Sequence, residues 1–319
     1  MKIPATAHFC WIGTHLPWAY VFAILSAGER SGLSEVVLHH TDPIEDGPQW
    51  RALQTAPGVR LSHIDPLALI AEAGRAAGLG DRLAELYGRL SHPVMRADIL
   101  RAAILHVQGG IYIDLDTITT KSLLPLLGHE QFVGREFIVW PREMRISRSP
   151  LRWARALSLD VLRKAARRLP EGWRFFRRIE HLYFRGVNNA VIGAPPGSVL
   201  IARYLRGMVE LPAAEQSARY GLGPSLLQDV VDGYHLDDLR FEAPEVFYPL
   251  PPEVSEHWFR LRRRVQLAQI LSPDTRIVHW YASVRTSARV AMVDPAYVRL
   301  NRQRQLYSAL VHECVRGLP

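Results

Sequence analysis

Met95-Arg96-Ala97-Asp98-Ile99-Leu100-Arg101-Ala102-Ala103-Ile104-Leu105-His106-Val107-Gln108-Gly109-Gly110-Ile111-Tyr112-Ile113-Asp114-Leu115-Asp116 is the stretch on which the reading of this chain turns. The apolar residues Val94, Ile99, Leu100, Ala103, Ile104 and Val107 recur at helical spacing and predict an amphipathic helix. Gly109-Gly110 closes it, as glycine does just past a helix end, and Ile111-Tyr112-Ile113 predicts a strand. Asp114 and Asp116 then sit at the C-terminal end of that strand, where an open α/β sheet binds its ligands. Alternation along an extended chain turns both carboxylates to one side and Leu115 away. Two carboxylates so placed repel each other unless a cation lies beside them, and a hard divalent ion bridging phosphate oxygens meets that need. Asp98 and Arg101, three apart, are neighbours on the surface of the preceding helix. As a mere surface ion pair they would contribute well under about 1 kcal/mol, but the short connection brings them to the same pocket.

Outward from this stretch, strands alternate with helices. Ala7 to Ile12, Glu35 to His40 and Val59 to Ile64 read as strands, separated by a helix over Trp18 to Arg30 and a loop marked by Asp46-Gly47-Pro48. Pro66 to Leu90 predicts helix broken at Gly74, Gly78 and Gly80. Phe132-Val133-Gly134 and Ile138-Val139-Trp140 predict two further short strands. Helix follows over Ser149 to Arg178, interrupted at Pro170 and Gly172, then a strand over Val187 to Ile192 and a helix over Ser198 to Met208. The tail predicts a short strand over Arg276 to Trp280 and a terminal helix. This order predicts an α/β fold with a mostly parallel central sheet and flanking helices. Residues 1–319 are expected to form one domain, with a helical basic insertion at about 142–185.

Composition narrows the chemistry. The 319 residues are 48% hydrophobic and 22% charged, ordinary for a globular protein. No window has the roughly 20 apolar residues of a membrane span, and the start of the chain reads as no signal peptide. The two cysteines, Cys10 and Cys314, lie at opposite ends of the chain, which argues against a disulfide framework and for a cytoplasmic protein. Without Cys/His spacing for zinc, oxygen ligands and hence Mn²⁺ or Mg²⁺ are expected. The net charge of +8 is uneven, with 13 Lys/Arg against 4 Asp/Glu between Arg142 and Arg185. That excess reads either as a solvated helical face or as a surface for anionic lipid headgroups or an acidic acceptor. No recognition helix, zinc finger or RNA-binding signature supports nucleic acid as a partner.

The composite of Asp98, Arg101, Gly109-Gly110, an aromatic strand and Asp114-x-Asp116 resembles the signature of the Asp-x-Asp sugar-transferase family (glycosyltransferase family 32), related to the clostridial glucosylating toxins. Ile3-Pro4 and His8-Phe9-Cys10-Trp11-Ile12-Gly13 resemble that family's opening strand, which brings Cys10 and Trp11 to the nucleotide, with Trp11 stacked on the base. From its residue type alone Trp11 reads first as a core aromatic, and His8 as a structural histidine. Val187-Asn188-Asn189-Ala190-Val191-Ile192-Gly193-Ala194 is similar to the family's Asn-Ala segment. The amide of Asn189, set in an apolar strand, needs a partner, either a sugar hydroxyl or a backbone group. Gly223-Pro224 and Phe247-Tyr248-Pro249 are similar to scaffold landmarks. Ile277-Val278-His279-Trp280-Tyr281-Ala282-Ser283 resembles the closing motif, in which His279 or Ser283 completes the metal site with Asp116. Here the chain departs from the family, carrying Arg285 where a Trp is usual, and a guanidinium there suits a β-phosphate.

The resemblance implies a GT-A type fold and a retaining, metal-dependent transfer from a nucleotide sugar, with a UDP-sugar favoured. Asp114 is expected on ribose or donor-sugar hydroxyls, and Asp98 and Arg101 on the donor sugar and its glycosidic oxygen. The expected acceptor is a glycan, a lipid-linked sugar or a small molecule, reached in the cytoplasm or at the inner membrane face. The alternative is a non-catalytic binding protein for anionic lipid or polymer, built on the Arg-rich region. It leaves the acidic cluster unexplained.

Overall fold

The computed structural model describes residues 2–141, 144, 147–218, 220–233 and 237–318, the side chain of Arg285 excepted. Seven strands form one sheet in the order β3-β2-β1-β4-β7-β6-β8. They are β1 (Thr6–Trp11), β2 (Glu35–His40), β3 (Val59–His63), β4 (Gly110–Ile113), β6 (Gln131–Ile138), β7 (Phe184–Ala194) and β8 (Leu239–Glu242). Strands β1 to β4 are mutually parallel, β7 runs against both β4 and β6, and β8 is parallel to β6. Six strands therefore point one way and only β7 is reversed, in line with a mostly parallel α/β sheet. A second, two-stranded antiparallel sheet pairs β5 (Thr117–Thr119) with β9 (Ile277–His279), matching Thr117 to His279.

Helices cover both faces of the large sheet. They include α1 (Trp18–Arg30), α2 (Pro48–Gln54), α3 (Pro66–Ala76), α4 (Arg82–Arg89), α5 (Pro93–Gln108), α6 (Pro150–Arg168), α7 (Gly172–Ile179), α8 (Val199–Glu210), α9 (Leu226–Asp232), α10 (Pro295–Asn301) and α11 (Leu306–Cys314). The period-2 alternation of each strand divides the core in two. Phe9, Leu38, Ile111, Ile113 and Val191 pack with α1 and α11 on one face. Cys10, Tyr112, Val133 and Ile192 pack with α5, α8 and α9 on the other.

Helix α5 joins the site to the second core. Pro93 opens it without losing a needed N–H, and the His92 ring accepts from the Val94 amide. Every residue from Asp98 to His106 is buried, and complete burial of Ile99, Leu100, Ile104 and Leu105 contributes about 1.5–3 kcal/mol each. The expected one-sided pattern is corrected here, because Val94 is 57% exposed and the run from Asp98 to His106 is enclosed on every side. Gly109 and Gly110 end it at φ 65° and 105°, and a Cβ on them would lie 2.5 Å from Pro196 Cδ and 2.7 Å from His8 Nε2. Only glycine lets the chain turn there and enter β4.

One further expectation changes, two strands come in addition, and one expectation holds. The two short strands anticipated around residues 132–140 are one strand, β6, and Val139 and Trp140 lie beyond it. Strands β5 and β8, of three and four residues, were not anticipated. The helices expected in the basic stretch form as α6 and α7, between β6 and β7; Arg142 and Arg145 of that stretch lie outside the described residues.

Candidate active site

Asp114 is the first residue after β4. Its N–H still donates to Ala190 O at 2.8 Å, so the ladder with β7 holds it in place. The chain then turns through Leu115 and Asp116 into β5. The two carboxylates converge by this turn rather than by strand alternation, while Leu115 does point away, into the core. Thr117 Oγ1 donates to Asp114 O at 2.8 Å and fixes the turn.

Strand β9 brings the third group. His279 Nε2 is 3.0 Å from Asp116 Oδ1, and the Ala282 N–H donates to Asp116 Oδ2 at 2.7 Å. One ligand atom from each of Asp114, Asp116 and His279 lies within 4.8 Å of the others. Tyr281 makes the turn that aims the Ala282 N–H, at φ 59°, a conformation rare for a non-glycine residue and met mostly where surrounding contacts enforce it. Its hydroxyl donates to Glu136 Oε2 at 2.8 Å.

Behind Asp114 lies a buried ionic network. Arg101 Nη2 is 2.7 Å from Asp114 Oδ1 and 3.5 Å from Asp98 Oδ1, and Nη1 donates to the Asn189 carbonyl. Asn189 Nδ2 donates to Asp98 Oδ1 at 2.8 Å. The guanidinium stacks 4.7 Å from the Tyr112 ring centre, and Tyr204 OH reaches the Leu222 carbonyl at 2.7 Å beside Asn189. Asp98 and Arg101, only 6% and 5% exposed, are thus no surface ion pair. They join α5 to β4 and β7.

Electrostatics sets the two aspartates apart. Burial, reinforced by the charge of Asp116, pushes Asp114 up to about 7 against the opposing pull of Arg101. Burial also works to raise Asp116, yet His279 and the Ala282 N–H hold it below the usual carboxylate range. Burial alone would lower His279, but the Asp116 charge raises it. Burial raises Asp98 and Glu136 above ordinary carboxylates.

The remaining expected site residues lie as follows. Trp11 ends β1 half-buried, its ring 5.4 Å from that of Tyr20, which in turn stacks on Trp280. Cys10 is buried among the core residues of the α5 face, and burial pushes its thiol up to about 12. Ser283 is exposed in the turn after Ala282, and the Arg285 side chain lies outside the described residues. His8 is structural, its ring 3.0 Å from His39 Nε2 and 2.8 Å from Gly109 O. Sequence reasoning missed Glu136 and the hydroxyls of Tyr204 and Tyr281. The one available signal was a glutamate in the otherwise apolar run Phe132 to Ile138.

Three buried nitrogens at the site, Trp11 Nε1, Arg101 Nε and His279 Nδ1, meet no hydrogen-bond partner among the described residues. Such groups are rare in protein interiors and call for a ligand or water. Two carboxylates and an imidazole are a donor set that Mn²⁺ or Mg²⁺ fits.

Residues 68–133 match the family described as "Glycosyltransferase sugar-binding region containing DXD motif". The matched segment carries the DXD motif that this description names. The matched span runs from α3 to β6 and contains Asp98, Arg101 and both aspartates of the DXD motif. Among solved structures, the bifunctional glycosyltransferase WbbM is 10% identical with a TM-score of 0.50, covering 100% of this chain and 50% of that one. The ligand-free glycosyltransferase domain of the YGT toxin is 10% identical with a TM-score of 0.44, over 76% of this chain and 80% of that one. Mouse xyloside xylosyltransferase 1 is 12% identical with a TM-score of 0.41, over 86% of this chain and 97% of that one. The likeness to WbbM is one of fold, and the fold is of the GT-A type. No curated protein matches the chain.

Proposed function

We propose that residues 1–319 act as one transferase unit that moves a sugar from a nucleotide-sugar donor to an acceptor hydroxyl, with a divalent cation held by Asp114, Asp116 and His279. The observation that carries this reading is the convergence of Asp114 and Asp116, inside the matched segment, with His279 brought in by β9. Mn²⁺ or Mg²⁺ bound there would act as a Lewis acid toward the diphosphate. Ser283, next to the Ala282 amide, is the further ligand candidate, and Arg285 is assigned to the β-phosphate.

The chain's own groups divide the remaining work. Arg101 and Asp98 hold Asp114 at a fixed position, with Arg101 adding positive potential where the leaving diphosphate gathers charge. Asp114 and Asn189 orient donor hydroxyls, and the Trp11 ring offers a face to the base, while Cys10, before it on β1, faces the α5 side of the sheet. No side chain stands out as a covalent nucleophile, in keeping with retention by front-face attack. A UDP-sugar is the favoured donor and a hexosyl group the favoured cargo, both by family resemblance.

Calorimetric titration of UDP- and GDP-sugars into the protein tests this reading. Binding of at least one donor in the presence of Mn²⁺, and its loss in chelator, are expected. Donor binding of equal strength with and without metal would refute the metal role. No binding of any donor would favour the lipid- or polymer-binding alternative.

A further inference from the structure

Helix α6 is apolar on two opposite sides. Ala156, Leu159 and Ala166 face the core, as its anchoring stripe should. The opposite side carries Leu151, Ala154, Leu157, Val161 and Ala165 at helical spacing, with Leu151 83%, Leu157 53% and Val161 64% exposed. A helix with apolar residues on both sides is normally covered on both. At one end of the stripe Trp140 and Trp153 pack with ring centres 5.8 Å apart, each partly exposed at 41% and 39%. Amphipathic rings of this kind favour the boundary between water and acyl chains.

The charges around the stripe differ from those beneath it. Arg163 is tied to Asp160 and Glu253, Arg167 to Glu256, and Arg177 to the carbonyl of Gln269 at 2.9 Å. Those three hold the helices to the body and are not available to a partner. Arg148, Arg152, Arg168 and Arg178 are exposed and form no ion pair with a described carboxylate. Of the basic residues on α6, Arg168, three residues from Ala165 and seven from Val161, and Lys164, 52% exposed beside Val161 and paired with Asp160, lie along the stripe, so its edge is positive and complements a layer that is apolar within and negative at its surface.

We propose that this face of α6, with Trp140 and Trp153, docks on an anionic phospholipid surface. No helix among the described residues is long and apolar enough to cross a membrane, so the contact is peripheral. Its placement suits an acceptor presented by that surface. Strands β6 and β4 point the same way, so the segment that leaves β6 at Ile138 starts from the sheet end that carries Asp114. The chain returns at Phe184, and Asn189 lies only about 17 Å farther along β7. The docking proposal does not depend on catalysis.

Co-sedimentation of the full chain with phosphatidylcholine vesicles and with vesicles containing a third phosphatidylglycerol tests it. Binding only to the anionic vesicles, weakened by salt, is expected. Val161→Asp is expected to lower binding at least tenfold. Arg168→Gln is expected to lower it about fivefold, and Arg152→Gln, on the other side of the helix, to leave it within about twofold. Donor binding by each variant serves as the folding control, since none of these residues belongs to the active site. No sedimentation of the wild type with either vesicle, or binding unchanged by Val161→Asp, would overturn the proposal. A solution dimer that Val161→Asp splits, without vesicle binding, would overturn it in favour of a second copy of this chain.

Discussion

The end of β4 and the outer side of α6 handle charge in opposite ways. At β4 a guanidinium is buried to 5% exposure yet meets two carboxylates, a carbonyl and an aromatic face. On α6 Arg168 stands in solvent, and so do the apolar side chains of Leu157 and Val161. A buried charge is tolerated only with partners in place, so the first region is committed to one geometry. An exposed apolar stripe of this kind is open to a partner from outside, as the docking proposal requires.

Breaking the buried side of this contrast has the largest expected effect. Arg101→Leu leaves Asp98 and Asp114 buried without their cation, and should cost about 3–5 kcal/mol in denaturant unfolding. A loss below about 1 kcal/mol would show that the network is solvated rather than buried.

Acid probes the same core through another pair. Burial pushes His8 down to about 4 and His39 to about 3, from an ordinary 6.5. The unfolded chain therefore takes up protons below pH 6.5 that the folded chain refuses. Stability should fall as pH drops from 6.5 toward 4, by about 1.4 kcal/mol per pH unit for each proton. His8→Phe should flatten that slope relative to the wild type in unfolding measured across this window. An unchanged slope would mean that the pair is accessible.

Smaller effects sharpen the distinction between binding and scaffold. Trp11→Ala should raise the KM for donor by the roughly 1–3 kcal/mol that stacking on a base provides, with a smaller change in kcat. A loss of stability with KM unchanged would return Trp11 to the core. On α6, Val161→Asp should leave unfolding within about 0.5 kcal/mol of the wild type, because the side chain it replaces is already in solvent.

Much of the site could be read in the sequence because its residues lie close together in it. The helix, the glycine pair, the strand and Asp114-x-Asp116 follow one another without interruption, and local periodicity is enough to order them. The reversed strand β7 was visible as an apolar run, but nothing local shows its direction, which depends on pairing with β4 and β6. Glu136 and Tyr281 escaped notice for the same reason. They meet across 145 positions of sequence through a hydrogen bond that no spacing rule contains. The mechanism of convergence also differed, since Asp114 and Asp116 meet through a turn set by Thr117 and by pairing of β5 with β9. The basic stretch misled on individual residues. Arg163 and Arg167 look free in the sequence and are ion-paired in the fold, whereas Arg152 and Arg178 stay exposed.

The central claim is that the acidic cluster after β4 is a metal-dependent sugar-transfer site. Nucleotide release from a panel of UDP- and GDP-sugars with Mn²⁺, comparing the wild type with Asp116→Asn and each with and without chelator, tests it most directly. The account predicts release from one donor, abolished by chelator and lowered on the order of 10²–10³-fold by the substitution. Release that persists undiminished in chelator, or in Asp116→Asn, would contradict it.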